Sequence, residues 1–204
     1  MPEIRDTTEK SAVWKLAPRR PGVIGGIGLT CNPFGKRRVL ALAAPLLLAA
    51  CSPEYNWREL DVAGGEVRAA FPARVQTETR NVALAGASLP FTLASAQVDS
   101  NYFAVGSAAV PAALLQDAAG RERLGQALMR SLYGNLGVAP PDPLPAFGAT
   151  LEVQGKGGDD RWSLAKVWVT ADAVIEVVAL GSRPALPRER AEEFLRQANL
   201  RTAP

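Results

Sequence analysis

Histidine is absent from all 204 residues. Ser-His-Asp and Cys-His nucleophile arrangements and most zinc sites need an imidazole, so those chemistries are excluded. Cysteine is nearly absent: Cys31 and Cys51 are the only two. Residues 52–204 therefore contain no disulfide and must fold on a hydrophobic core, which about 150 residues can supply by burying roughly two-thirds of the surface of their unfolded chain. Long apolar runs are missing as well. No stretch of about twenty apolar residues, the length a membrane-spanning helix needs, follows residue 51.

What is there begins at Lys36. Lys36, Arg37 and Arg38 precede the apolar and small residues Val39–Ala50, which end directly before Cys51. This is the layout of a secretory signal ending at a processing site. Twelve residues in a helix cover roughly 18 Å of a hydrocarbon core about 30 Å thick, and Pro45 weakens the helix further, so the run is too short to span. Leu48-Ala49-Ala50-Cys51 resembles the lipobox of bacterial lipoproteins: an aliphatic residue, two small residues, then the lipidated cysteine. The resemblance implies cleavage between Ala50 and Cys51, diacylglyceryl attachment to the Cys51 sulfur, acylation (palmitate) of the new amino terminus, and a membrane held through that lipid. With Ser52 in the second position it further implies sorting to the outer membrane, facing the periplasm.

Residues 1–35 make the leader longer than the usual 15 to 30 residues. Either translation starts inside it, for example at Val23 or Leu29, or the leader is real and Arg19-Arg20 ahead of Val23–Leu29 forms a twin-arginine signal. The first reading is favoured because Pro21 follows the arginines directly and the stretch after them is Gly-rich. Either way residues 1–35 are an extension, 36–50 the signal, 51–56 a lipidated tether, and 57–204 one domain. The division alters the charge balance. Residues 1–50 hold 8 of the 23 basic and 3 of the 20 acidic residues, leaving 15 basic and 17 acidic, near −2. The basic pI of about 9.1 thus belongs to the leader, and no nucleic-acid partner is expected.

Carboxylates, lysines and hydroxyls are the remaining chemistry. Asp159 and Asp160 are adjacent in a glycine-rich segment, and neighbours on an extended chain point to opposite faces, so they read as a solvated hairpin tip. Gly155-Lys156-Gly157-Gly158 fails the Walker spacing. Ser107 and Ser131 have no base nearby in sequence, and pairing with Lys156 or Lys166 cannot be inferred from separation alone. No catalytic residue, metal site or cofactor is predicted.

The pattern after the tether is that of a sheet with helices. Glu66–Phe71, the alternating Arg74, Gln76, Glu78 and Arg80, and Leu89–Val98 with Leu89, Phe91 and Leu93 on one face predict strands, the last two joined at Ala85–Ser88. Tyr102–Ala109 reads as a strand of small residues. Leu124, Leu128, Leu132 and Leu136 predict a core-facing helix over 111–136, opened by Pro111. A proline-rich crossover follows. Phe147–Gln154, Arg161–Thr170 and Ala173–Leu180 predict three adjacent strands, the nearly continuous apolar run from Val174 lying centrally. Trp162, Leu164, Lys166 and Trp168 share a face. Pro187 opens a final helix over 187–198, with Ala191, Phe194, Leu195 and Ala198 facing the core and Glu192 and Arg196 able to pair.

The order of strands, helix, strands, helix predicts an α+β domain with two helices packed on a mainly antiparallel sheet. With Phe71-Pro72 entering a hairpin and Phe194–Leu200 closing the chain, it resembles the small α/β/α sandwich of PsbP-like extrinsic proteins and small envelope lipoproteins. That resemblance implies binding and assembly rather than a reaction. The expectation is a lipid-anchored, non-enzymatic envelope protein with a protein partner. The alternative is a small-ligand carrier or a carboxylate- or hydroxyl-dependent hydrolase in the periplasm.

Overall fold

The computed structural model describes residues 55–156 and 160–201. The residues expected to form the extension (1–35), the signal (36–50, with Ala50) and the lipid site (Cys51), and residues 157–159, lie outside them. The described residues belong to one compact unit. In chain order they form β1 (Arg58–Val62), β2 (Val67–Phe71), β3 (Gln76–Leu84), β4 (Ala87–Val98), β5 (Asn101–Ala109), α1 (Ala118–Asn135), β6 (Leu151–Gln154), β7 (Arg161–Val169), β8 (Ala173–Ser182), α2 (Arg188–Gln197) and β9 (Asn199–Leu200). Six strands build one sheet in the order β3-β4-β5-β8-β7-β6, and a smaller sheet has the order β1-β2-β9. Every pairing is antiparallel. The class is α+β, as the alternation of periods predicts.

Alternation along the strands sends side chains to two cores. Phe103 and Val105 of β5, Ile175, Val177 and Ala179 of β8, and Trp162 and Leu164 of β7 meet Ala191, Phe194 and Leu195 of α2 and Val67, Ala69 and Phe71 of the small sheet. On the other face Phe91, Leu93, Ala104, Val167 and Val174 meet Leu124, Leu128, Met129 and Leu132 of α1. β8 is apolar on both sides because it is covered on both sides, the reason a continuous apolar run marks a central strand. The rings of Phe71 and Phe103 pack on Phe194 at centroid distances of 5.5 and 5.4 Å.

Four details differ from the pattern read in the sequence. The first helix starts at Ala118 rather than Pro111. Pro111 is extended (φ −56°, ψ 142°), Ala112–Leu114 form a single 3-10 turn, and the Asp117 side chain accepts a bond from the Gly120 amide at 2.8 Å. An aspartate that satisfies a first-turn amide sets the helix start more strongly than a proline upstream. The strand expected from Phe147 begins at Leu151. Gly148 turns with φ +83° and donates its amide to the Val167 carbonyl at 2.8 Å. Glu192 pairs with Arg188 at 2.8 Å, not with Arg196, because Arg188 sits between Glu192 and Glu152, the latter at 2.9 Å. Finally, the chain end adds β9 to β2, completing a small sheet that two residues of β9 give no periodicity to reveal.

Candidate functional site

Glu176 is the one acid inside the apolar run of β8, and its side chain points into the core beneath α1, beside Val174 and Val178. It is 7% exposed. Its strand neighbours are Gly106 on β5 and Val167 on β7. A Cβ added at Gly106 would collide with the Phe91 ring and lie 3.0 Å from the Glu176 Cγ, so the glycine makes the space into which both side chains fold. Neither an ion pair nor a hydrogen bond to the Glu176 carboxyl is found among the described residues. The surrounding Phe91, Ala104, Val167, Val174 and the α1 leucines carry no charge. Removing a carboxylate from water without a compensating partner disfavours its charged form. Burial accordingly pushes the Glu176 carboxyl up from its ordinary 4.5 to about 7. The group can change protonation near neutrality.

A second polar cluster lies at the β6 edge of the large sheet. The Glu152 carboxylate, from the edge strand β6, accepts from Arg183 at 2.8 Å and from Arg188 at 2.9 Å. Hydrogen bonding to Arg188 first, and to Arg183, holds the Glu152 carboxyl below its ordinary value against a smaller opposing effect of burial. The Arg183 guanidinium also stacks on the Trp162 ring at 4.7 Å. Where the described chain begins, Tyr55 stacks on Trp57 at 6.1 Å, meets Phe103 edge-on at 6.2 Å, and lies under the Arg190 guanidinium at 4.9 Å. The Asn56 amide donates to the Pro72 carbonyl at 2.7 Å. Tyr55 and Asn56, read in the sequence as tether, are thus packed onto the domain, four residues after Cys51.

The hydroxyls and lysines singled out in the sequence do not converge. Ser131 donates to the Leu128 carbonyl on its own helix at 2.7 Å. Ser107 pairs in register with Ile175, whereas Lys166 pairs with Val177 and sends its ammonium to the Leu195 carbonyl at 3.4 Å, near the C-terminal end of α2 where a cation is favoured. Asp160 uses its carbonyl to accept the Arg183 amide at 2.9 Å; Asp159 lies outside the described residues. Trp162 is buried, with Trp168 partly buried on the same face under α2. An open hollow of about 460 Å³ is lined by Arg121, Glu122, Phe147, Val169 and Thr170. Its polar walls are already engaged: Arg121 with the Leu114 and Leu115 carbonyls, Thr170 with Glu66 at 3.0 Å. Among the described residues, no three acidic or thiol side chains gather where they could hold a metal ion, and no helix is long and apolar enough to cross a membrane.

No family model, curated protein or solved structure matches this chain. Glu176 is the functional candidate that sequence patterning passed over. Its signal was present, since a carboxylate stranded in seven nearly continuous apolar residues must either lie at an edge or be buried.

Proposed function

We propose that this protein is a lipid-anchored bacterial envelope protein, held through Cys51 at the outer membrane and facing the periplasm, with a non-enzymatic binding or assembly role toward an envelope partner. The observation that carries this reading is the signal-and-lipobox run Lys36–Cys51. The packing of Tyr55 supports it. Four residues reach at most about 14 Å at roughly 3.6 Å each, so a lipid on Cys51 would hold the whole domain close to the bilayer.

Cys51→Ala, made in the full chain with the export signal intact, tests the anchor. The wild type is expected to take up labelled palmitate and stay with membranes, as two or more acyl chains hold stably while one is marginal. The variant is expected to lose the label and be released as folded protein. Labelling of the variant, or its continued resistance to release, would overturn the assignment. The carrier or hydrolase reading rests on Glu176, a lone carboxylate able to receive a cationic or proton-bearing group. A saturable ligand lost in Glu176→Gln, with the fold intact, would favour that reading instead.

A further inference from the structure

The two edges of the six-stranded sheet are protected very differently. β6 is four residues long, and its Glu152 and Gln154 are tied to Arg183 and Arg188. β3 is nine residues long, Gln76-Thr-Glu-Thr-Arg-Asn-Val-Ala-Leu84, and most of it is exposed. It contains no lysine and no proline, the residues that commonly block an edge, and no bulge interrupts its nine-residue ladder with β4. Among the described residues no strand lies beyond it. An edge of this length presents alternate N–H and C=O groups to any strand that can complete the ladder.

We propose that β3 pairs antiparallel with β3 of a second copy, centred on Thr79, to form a continuous twelve-stranded sheet. The strand sequence selects both the partner and the register. Glu78, Arg80 and Val82 lie on the α1 face, opposite Leu93, Phe91 and Leu89 of β4, while Thr77, Thr79 and Asn81 lie on the other. A two-fold axis through Thr79 places Glu78 of each copy directly across from Arg80 of the other, twice over. Glu78 and Arg80 already meet at 2.7 Å within one strand, so each arginine then sits between two carboxylates. Moving the centre by one residue, to Glu78 or Arg80, puts like charges face to face, which is destabilising. On the opposite face Thr79 is bonded to Thr92 at 2.9 Å, and Thr92 is paired with Ser107. The Thr79-centred dimer extends this hydroxyl row without interruption across the axis, and threonine pairs of that kind favour cross-strand contact.

The test uses the full chain in its own membranes. Thr79→Cys places two thiols opposite each other on the axis, at the about 4.5–5.5 Å Cβ separation of directly paired residues, so mild oxidation should give a dimer on a non-reducing gel above the parent chain's background. Thr77→Cys and Asn81→Cys should each fail alone and cross-link when co-expressed, because 77 faces 81. Sedimentation of the full chain in detergent then reads the charge pattern. Arg80→Glu and Glu78→Arg should each weaken association about tenfold, and the doubly exchanged E78R/R80E chain should restore it. A Thr79→Cys chain that stays monomeric, or an exchanged chain no better than the single variants, would overturn the proposal. So would cross-linking of Thr79→Cys to a different protein in place of a second copy.

Discussion

Replacing Glu176 with glutamine should change the stability of this protein and abolish the loss of stability that its titration imposes as pH rises from 4.5 to about 7. In the unfolded chain the carboxyl titrates near 4.5; in the folded chain burial moves it to about 7. Below 4.5 the group is protonated in both states and contributes nothing. Between 4.5 and 7 the folded state binds the extra proton, so stability falls as pH rises, and above 7 the full cost of a buried carboxylate is present. The gap corresponds to about 3 kcal/mol, a large part of the 5–15 kcal/mol that holds a typical domain together. Glutamine keeps the shape but cannot ionise. It also leaves a buried amide without a partner, which costs the variant something at every pH. That constant cost cancels when the variant is compared with the wild type at two pH values. Urea unfolding of both proteins between pH 4.5 and 8.5 is the assay. The gain from Glu176→Gln should be about 3 kcal/mol larger at pH 8 than at pH 4.5, a change in relative midpoint of about 1–3 M urea for m-values of about 1–3 kcal/mol/M. Parallel pH profiles for the two proteins would refute the reasoning, since they would mean that Glu176 is solvated or finds a partner when it ionises.

Two further variants probe the remaining polar architecture. Gly181→Ala would drive a methyl group into the Asn101 amide oxygen and within 2.7 Å of the Leu186 Cβ, and thermal unfolding should show a loss of about 1–3 kcal/mol from overpacking. Arg188→Ala removes the larger of the two bonds to Glu152, so an NMR titration should find the Glu152 carboxyl moved up toward its ordinary 4.5. Because both partners are about a third to a half exposed and screened by solvent, the accompanying loss of stability at neutral pH should be small. The sign is opposite to that at Glu176. The Glu152 contribution is present above its unfolded value and disappears as pH falls, whereas the Glu176 cost grows as pH rises.

What could be read in the sequence depended on whether a residue's neighbours were local. Val174–Leu180 and the Ala191, Phe194, Leu195, Ala198 series are burial patterns carried within single elements, and both lie where their periods place them. The start of α1 depended on one side-chain bond, Asp117 to Gly120, hidden among alanines that suit a helix equally well on either side. The partner of Glu192 was decided by Glu152, 36 residues before Arg188, which no helical spacing records. Glu176 was visible as an exception in a strand, but its burial required knowing that α1 lies over β8 and that Gly106 clears a space beside it. The proposed lipid site is the reverse case, since Cys51 is argued from a linear motif of the kind that export machinery recognises, and that argument owes nothing to the fold.

The proposed anchor and the proposed dimer constrain each other. In an antiparallel β3 pair the strand ends of the two copies point in opposite directions, so two domains standing upright on their strand ends would hold their tethers at opposite extremes. A two-fold axis perpendicular to the sheet, however, leaves the faces of the two copies on the same side. Tyr55 lies on the α2 face in each copy, against Phe103 and Arg190. Tyr55 therefore lies on the same side of the sheet in both copies, and the four residues that separate it from Cys51 span at most about 14 Å. If both proposals hold, an arrangement with the α2 face toward the bilayer and the two-fold axis along the membrane normal keeps Tyr55 of both copies within that span of the membrane. In that orientation the α1 layer, with Glu176 beneath it, faces away from the bilayer.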